Sequence, residues 1–268
     1  MNIERRFREF IPEARRVVVK IGTRVIAQKT GRPDMRQLKN VVTQVAGLHK
    51  RGYEVLMVSS GAVGAGVEAL GMKQRPTAVP DLQMCAAVGQ ARLMAHYEKL
   101  FSAQDILVGQ VLLTHSDFLH RIRHANAKRT MEHMIRQGVI PIINENDVVA
   151  DEELKAGLSL GDNDYLAALV VKLVRADILI ILSTAPGVLD ANGRCVPCID
   201  NIADARKLVN PEKGSHLSKG GMDSKLAAAQ IAMKAGCSVV IAGGRKQNVL
   251  SNVMAGKDIG TLLLSNVL

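Results

Sequence analysis

Val139-Ile140-Pro141-Ile142-Ile143-Asn144-Glu145-Asn146-Asp147 is an apolar run that stops abruptly in a cluster of acids and amides. Its first five residues show no polar alternation, so they read as a strand buried on both faces, as in a parallel sheet covered by helices. The ends of such strands are where α/β proteins gather ligand-binding groups. A second cluster, Gly161-Asp162-Asn163-Asp164, directly precedes an apolar helix pattern starting at Tyr165. Together the clusters suit a small ligand carrying an ammonium group, or a metal-bound phosphate. Either one alone reads equally well as a loop or helix cap, because Asp and Asn also make turns and N-caps.

The same alternation of apolar run and amphipathic stretch extends in both directions. It predicts strands at 17–19, 55–58, 106–113, 139–143, 178–182, 239–241 and 261–264. Helices are expected at 35–50, entered at Asp34 and stopped by Gly52, and at 82–100, 128–136, 166–174, 222–235 and 249–254. A glycine- and alanine-rich segment occupies 61–66, and 187–218 reads as a hairpin and a loop. The fold class is therefore α/β, a three-layer αβα sandwich around a mostly parallel sheet. A single domain over residues 1–268 accommodates all of it.

Composition removes several classes. With 47% hydrophobic and 22% charged residues, the chain can bury a sizeable core. No apolar run approaches the roughly 20 residues of a membrane span, and the first residues lack a signal-type apolar stretch, so a cytoplasmic protein is expected. The net charge of +10 invites a nucleic-acid reading, but aromatics are only 3% and the basic residues are scattered. Stacking platforms are thus scarce, and an anionic small substrate is the preferred partner. Cys195-Val196-Pro197-Cys198 has no second close pair and no histidine nearby, so it reads as incidental and no protein metal site is assigned; Cys85 and Cys237 read as small core residues.

Three glycine loops sit at the ends of predicted strands or the starts of helices. Lys20-Ile21-Gly22-Thr23 closes the first strand, Ser59-Ser60-Gly61-Ala62 closes the second and opens a helix, and Lys219-Gly220-Gly221-Met222-Asp223-Ser224-Lys225 opens a late helix. Free amides at such turns attract anions, and a lysine beside them adds charge. None matches the common phosphate-loop or dinucleotide fingerprints. Two lysines, two acid clusters and three amide-rich turns describe phosphoryl transfer run by positioning and charge neutralisation. The seven histidines all lie outside these loops. Lack of an evident general base favours an acceptor that is already an anion, such as a carboxylate.

At these residues the chain resembles the amino-acid kinase family, collinearly from about Val17 to Leu264. The matching pieces are Val-Val-Lys20-Ile-Gly-Thr, Val-Ser-Ser60-Gly-Ala, Ala86-Ala-Val-Gly-Gln-Ala-Arg92, Ile143-Asn-Glu-Asn-Asp147, Gly161-Asp-Asn-Asp164 and Gly220-Gly-Met-Asp-Ser-Lys225. The paired Asn-Glu-Asn-Asp and Gly-Asp-Asn-Asp clusters point to the branch that phosphorylates glutamate. The resemblance implies ATP-dependent phosphorylation of the L-glutamate side-chain carboxylate, the step that commits carbon toward proline. It implies that Lys20 and Lys225 neutralise the transferring phosphoryl group, and that Asp164, with Asp162 beside it, orients the lysines and helps hold Mg2+. Ser60, Gly61, Asp147, Asn163 and Asn144 would bind glutamate. The nucleotide would be held by Lys20, Gly22, Thr23, Ser183, Thr184, Lys219, Gly220, Gly221, Met222, Asp223, Ser224 and Lys225. Substrate binding would fall mainly in the N-terminal part, and nucleotide binding mainly from about residue 175. Ser183-Thr184 stands where the branch usually has a Thr-Asp or Ser-Asp pair. Feedback inhibition by proline, through a loop between 116 and 129, and assembly as dimers or tetramers are further implications. So is the form lacking the appended PUA domain that many relatives carry.

Overall fold

Short β-branched runs dictate the centre of the molecule. In the computed structural model, which describes residues 8–150, 163–208 and 221–265, these runs form β1 (Arg16–Ile21), β2 (Glu54–Val58), β3 (Val108–Leu113), β4 (Ile140–Glu145) and β5 (Ile178–Ser183). Beyond them lie β6 (Cys198–Ile199), β7 (Ser238–Gly243) and β8 (Thr261–Leu263). They make one sheet in the order β3-β4-β2-β1-β5-β7-β8-β6, in which only the β7–β8 pairing is antiparallel. The mostly parallel sheet agrees with the unalternating apolar runs.

Helices cover both faces. Along β1 the period of two decides which residue meets which layer. Val17, Val19 and Ile21 pack with α1 (Met35–Lys50), with α3 (Val79–Ser102), which follows α2 (Ala62–Ala69), and with α9 (Val249–Met254). Val18 packs on the other side, with α5 (Arg121–Arg136), α6 (Asn163–Val174), α7 (Ile202–Leu208) and α8 (Met222–Lys234). Lys20 shares the parity of Val18, so it is delivered to the α6–α8 face.

Local rules explain the boundaries. Asp34 accepts from the amides of Arg36 at 3.1 Å and Gln37 at 3.2 Å, capping α1. Gly52, at φ +89°, turns the chain out of it. Helices α2 and α3 touch backbone to backbone: a Cβ added at Gly89 would stand 1.8 Å from the Ala62 carbonyl oxygen, and one at Gly66 1.8 Å from that of Cys85. At the other end of the sheet Arg8, 4% exposed, points its guanidinium into a cage of carbonyls. It donates to Pro197 at 2.6 Å, to Lys257 and Gly260 at 3.0 Å, and to Ile259 at 3.3 Å. That cage ties the segment before β1 to the approaches of β6 and β8.

The helix expected to open at Ser59-Ser60-Gly61-Ala62 is α2, in which close packing on α3 offsets the weak propensity of Gly64 and Gly66. Other expectations are corrected. Strand β3 starts at Val108, two residues late, and α5 starts at Arg121, seven early, since its first two turns are polar and exposed. A short helix not anticipated, α4 (His115–Leu119), is closed by a capping box in which the Asp117 carboxylate accepts from the Thr114 amide at 2.7 Å. Leu189 bridges Cys195 in antiparallel fashion, giving the expected hairpin, but β6 and α7 follow it. The four cysteines form no disulfide with one another, and Cys85 and Cys237 are buried. Among the described residues no helix is long and apolar enough to cross a membrane.

Candidate active site

Strands β1, β2, β4, β5 and β7 run parallel, so their carboxyl ends open on one edge. Lys20 lies opposite Val58 of β2 and Ile181 of β5, in the middle of that edge. Its Nζ sits 2.6 Å from Asp164 Oδ1, with both side chains fully buried. Asp164 belongs to the first turn of α6, and its other oxygen takes Lys225 Nζ at 3.0 Å from the first turn of α8. Ser224 Oγ stands 3.1 Å from that Oδ2 and also 2.9 Å from the Gly221 carbonyl. One carboxylate thus gathers two ammoniums from two different elements.

Burial would push the Asp164 carboxyl up, but Lys20 and Lys225 overrule it and hold the group below the ordinary carboxylate value. It stays ionised at neutral pH. A buried triad of this kind is costly to assemble, because desolvating each charge must be offset by the others. Such an expense at a ligand-facing edge is the physical mark of a site.

Asn163, the residue before Asp164, extends the site into a chain of amides. Its Nδ2 donates to Asn144 Oδ1 at 2.7 Å and to the Ser59 carbonyl. Asn144 Oδ1 also accepts from the Glu145 amide at 3.0 Å, which leaves Asn144 Nδ2 to donate to Gln90 Oε1 at 2.8 Å. Gln90 Nε2 then reaches Gln110 Oε1 at 3.4 Å. The two backbone contacts fix the direction of the whole chain, so each amide has one orientation.

The turn after β2 is fastened equally well. Ser60 Oγ donates to the Ile21 carbonyl at 2.7 Å, joining the ends of β1 and β2. Gly61 takes φ +100°, a conformation that favours glycine, and leads directly into α2. Amides at the start of α2 therefore face the same edge. Gly22 donates to the Leu182 carbonyl at 3.1 Å, where a side chain would crowd the approach, and Thr23 opens a short 3-10 turn.

Of the residues singled out from sequence, Lys20, Asp164, Gly221, Ser224 and Lys225 form one connected group. Ser60, Asn144 and Asn163 form a second beside it, and the peptide bond between Asn163 and Asp164 joins the two. Asp147 lies half-buried in the turn after β4. Ser183 ends β5 and accepts the Ala185 amide at 3.3 Å, while Thr184 and Asp223 are exposed on the rim and Met222 is half-buried. Asp162, Lys219 and Gly220 lie outside the described residues. Sequence reasoning missed Gln90 and Ser59, which the amide chain ties to Asn144 and Asn163. Gln90 shares a helix face with buried Ala86, Leu93 and Tyr97, so an inward polar residue was there to be found.

No three His, Cys, Asp or Glu side chains converge as a metal cage among the described residues. With Asp164 engaged by two lysines, the described donors suit a magnesium ion that arrives on nucleotide phosphates, keeping water and few protein ligands.

Residues 15–243 match the Amino acid kinase family. Glutamate 5-kinase from Moorella thermoacetica is 41% identical over 267 residues, covering 97% of this chain and 70% of that protein. Glutamate 5-kinase from Clostridium acetobutylicum is 38% identical over 262 residues, covering 96% and 97%. Among solved structures, carbamate kinase from Giardia lamblia bound to AMP-PNP superposes with a TM-score of 0.63 at 16% identity, covering 94% of this chain and 99% of that one. UMP kinase from Bacillus anthracis gives 0.62 at 12% identity, covering 95% and 97%. At those identities the structures speak for the fold alone.

Proposed function

The chain belongs to the amino acid kinase family, among its glutamate 5-kinases, and from that premise we propose how its residues phosphorylate glutamate. The reaction is transfer of the ATP γ-phosphoryl group to the side-chain carboxylate of L-glutamate, giving L-glutamyl 5-phosphate, the first step of proline biosynthesis. The observation that carries the mechanism is the convergence of Lys20 and Lys225 on Asp164, at 2.6 and 3.0 Å.

A glutamate carboxylate oxygen attacks the γ-phosphorus, and the bond to the bridging β–γ oxygen breaks, releasing ADP. The nucleophile is already an anion, so no proton has to be removed. The difficulty is bringing a carboxylate to a polyphosphate, and two ammoniums meet it by neutralising charge as it redistributes over the phosphoryl oxygens. Asp164 holds the lysines in place before substrate arrives, so that little reorganisation remains at the moment of transfer. Ser183, Thr184, Gly22, Thr23 and the start of α8, with Gly221, Met222, Asp223 and Ser224, would flank the nucleotide; Asp162, Lys219 and Gly220 belong to the same proposal. Magnesium, when bound, spreads the phosphate charge further.

Glutamate would lie across the ends of β2 and β4. The Asp147 carboxylate suits its ammonium, while Ser60 and the amides beginning at Gly61 suit a carboxylate. Asn144 and Asn163, oriented by their amide chain, would fix its position. This favours free glutamate over acetylglutamate, whose acetamide offers no charge to Asp147. Substrate binding by the N-terminal part and nucleotide binding from about residue 175 complete this reading. A cytoplasmic location, dimeric or tetrameric assembly and feedback inhibition by proline belong to the same proposal and rest on kinship with the family.

The test is ADP release with ATP and magnesium, comparing L-glutamate with acetylglutamate, aspartate and UMP. Release dependent on L-glutamate alone is the expected result. Release driven by another acceptor would overturn glutamate as the substrate, and silence with all four from folded protein would overturn the mechanism.

A further inference from the structure

Tyr97 lies within the apolar layer of α3, fully buried, with the Phe101 ring centroid 6.5 Å away. A phenylalanine would fill the same space without the cost of taking a hydroxyl out of water. The hydroxyl meets Ser59 Oγ at 2.8 Å, and Ser59 is fully buried as well. We propose that Tyr97 is a positioning residue for glutamate binding, acting through Ser59 to aim the Gly61 amide at the substrate.

The geometry runs in three short links. Ser59 is fastened by its amide to the Ile143 carbonyl at 2.8 Å, and its own carbonyl receives Asn163 Nδ2. With the phenol donating to Ser59 Oγ, the serine proton is directed to the Ser60 carbonyl, a longer contact at 3.4 Å. In a trans peptide the C=O and N–H point in opposite directions. Holding the Ser60 carbonyl on the Tyr97 side therefore turns the Gly61 N–H the other way, toward the edge where α2 begins. The positive φ of Gly61 then carries the chain into that helix. Without the phenol, Ser59 Oγ is free to turn, and the Ser60–Gly61 peptide loses the contact that fixes its plane.

This rests on the glutamate-binding role proposed above for the Ser60–Gly61 turn. The experiment is Tyr97→Phe, which preserves volume, measured beside Ser59→Ala and the double variant. In each single variant the KM for glutamate is expected to rise about tenfold, the loss of one positioned hydrogen bond, with kcat and the KM for ATP within about twofold. The double variant should lose no more than either single one, because both break the same chain. A glutamate KM that stays put, or KM values for glutamate and ATP that rise together, would overturn the role of Tyr97. A failure of the underlying reading would look different: the unaltered protein would then show neither glutamate-dependent ADP release nor a thermal shift with glutamate.

Discussion

The two ends of β1 solve the same problem in opposite ways. Arg16 and Lys20 lie on one face of the strand, and α6 runs back along it, with Asp164 over the lysine and the Val174 carbonyl over the arginine. Ten residues of helix rise about 15 Å and four residues of strand about 13 Å, so the two spans match. At the amino end the Arg16 fork takes Glu132 at 2.8 and 3.1 Å and Glu54 at 2.8 Å. Two carboxylates close on one planar cation. At the carboxyl end the ratio is inverted, with two ammoniums on one carboxylate. A guanidinium held bidentately is locked in orientation, whereas an ammonium on a flexible stem can pass a donor to a phosphate oxygen without moving its backbone. The first arrangement staples layers together, and the second can give up a contact to a substrate.

Substitutions at the lysines should break this comparison most visibly. Lys20→Ala or Lys225→Ala should cut turnover by about a hundredfold or more while the protein stays folded by circular dichroism. Unchanged turnover in a folded variant would remove the charge-neutralising role. Arg16→Met should do the reverse. Losing a charged hydrogen-bond partner at the staple should cost about 2 kcal/mol in urea unfolding, with turnover per folded molecule unaltered. A fall in turnover at full folding would show that the two ends are coupled through α6.

The smallest effect is a difference in pH response. Asp164 has its native carboxyl value depressed, so its contribution to stability is whole above the ordinary value of 3.8 and is lost as pH falls below it toward the native one. For Arg16, burial acts to lower the pKa but the two glutamates outweigh it and the group is held above its ordinary value, so the guanidinium itself stays charged throughout. Melting temperatures of Asp164→Asn and of the unaltered protein should therefore differ by a steady gap at neutral pH and draw together as pH falls below 3.8. A gap for Asp164→Asn that does not narrow below pH 3.8 would place its stabilisation in shape and not in charge.

The contrast between the ends also marks what sequence could reveal. The Val17-Val18-Val19 run announced a buried strand, and Lys20 near its end, beside Gly22, marked the edge where the structure gathers Asp164 and Lys225. The Asn144 and Asn163 clusters stood out only as a pair beside the glycine loops, because either alone reads as a turn or a helix cap. The start of α2 was legible at the Ser60-Gly61 turn but its extent was not, since Gly64 and Gly66 weaken its propensity and contact with α3 across the Gly66–Gly89 approach offsets that loss. The Tyr97–Ser59 and Gln90–Asn144 bonds span 38 and 54 residues. Nothing local selects such partners, and only the packed sheet brings them together. The Arg16 staple escaped for the same reason: Glu54 and Glu132 are ordinary surface-type residues until the fold sets them beside one another.

The carbonyl cage around Arg8 has a consequence for how the molecule is made. One wall of it, Gly260, lies 252 residues downstream of the arginine. At roughly 5–20 residues per second on the ribosome, the arginine emerges on the order of 10 to 50 seconds before its last acceptor exists. Through that interval the nascent segment ahead of β1 must wait without its partners. Synthesis of the final strand therefore acts as the closing step, and a chain that stalls short of it would leave this seam open to proteases and chaperones.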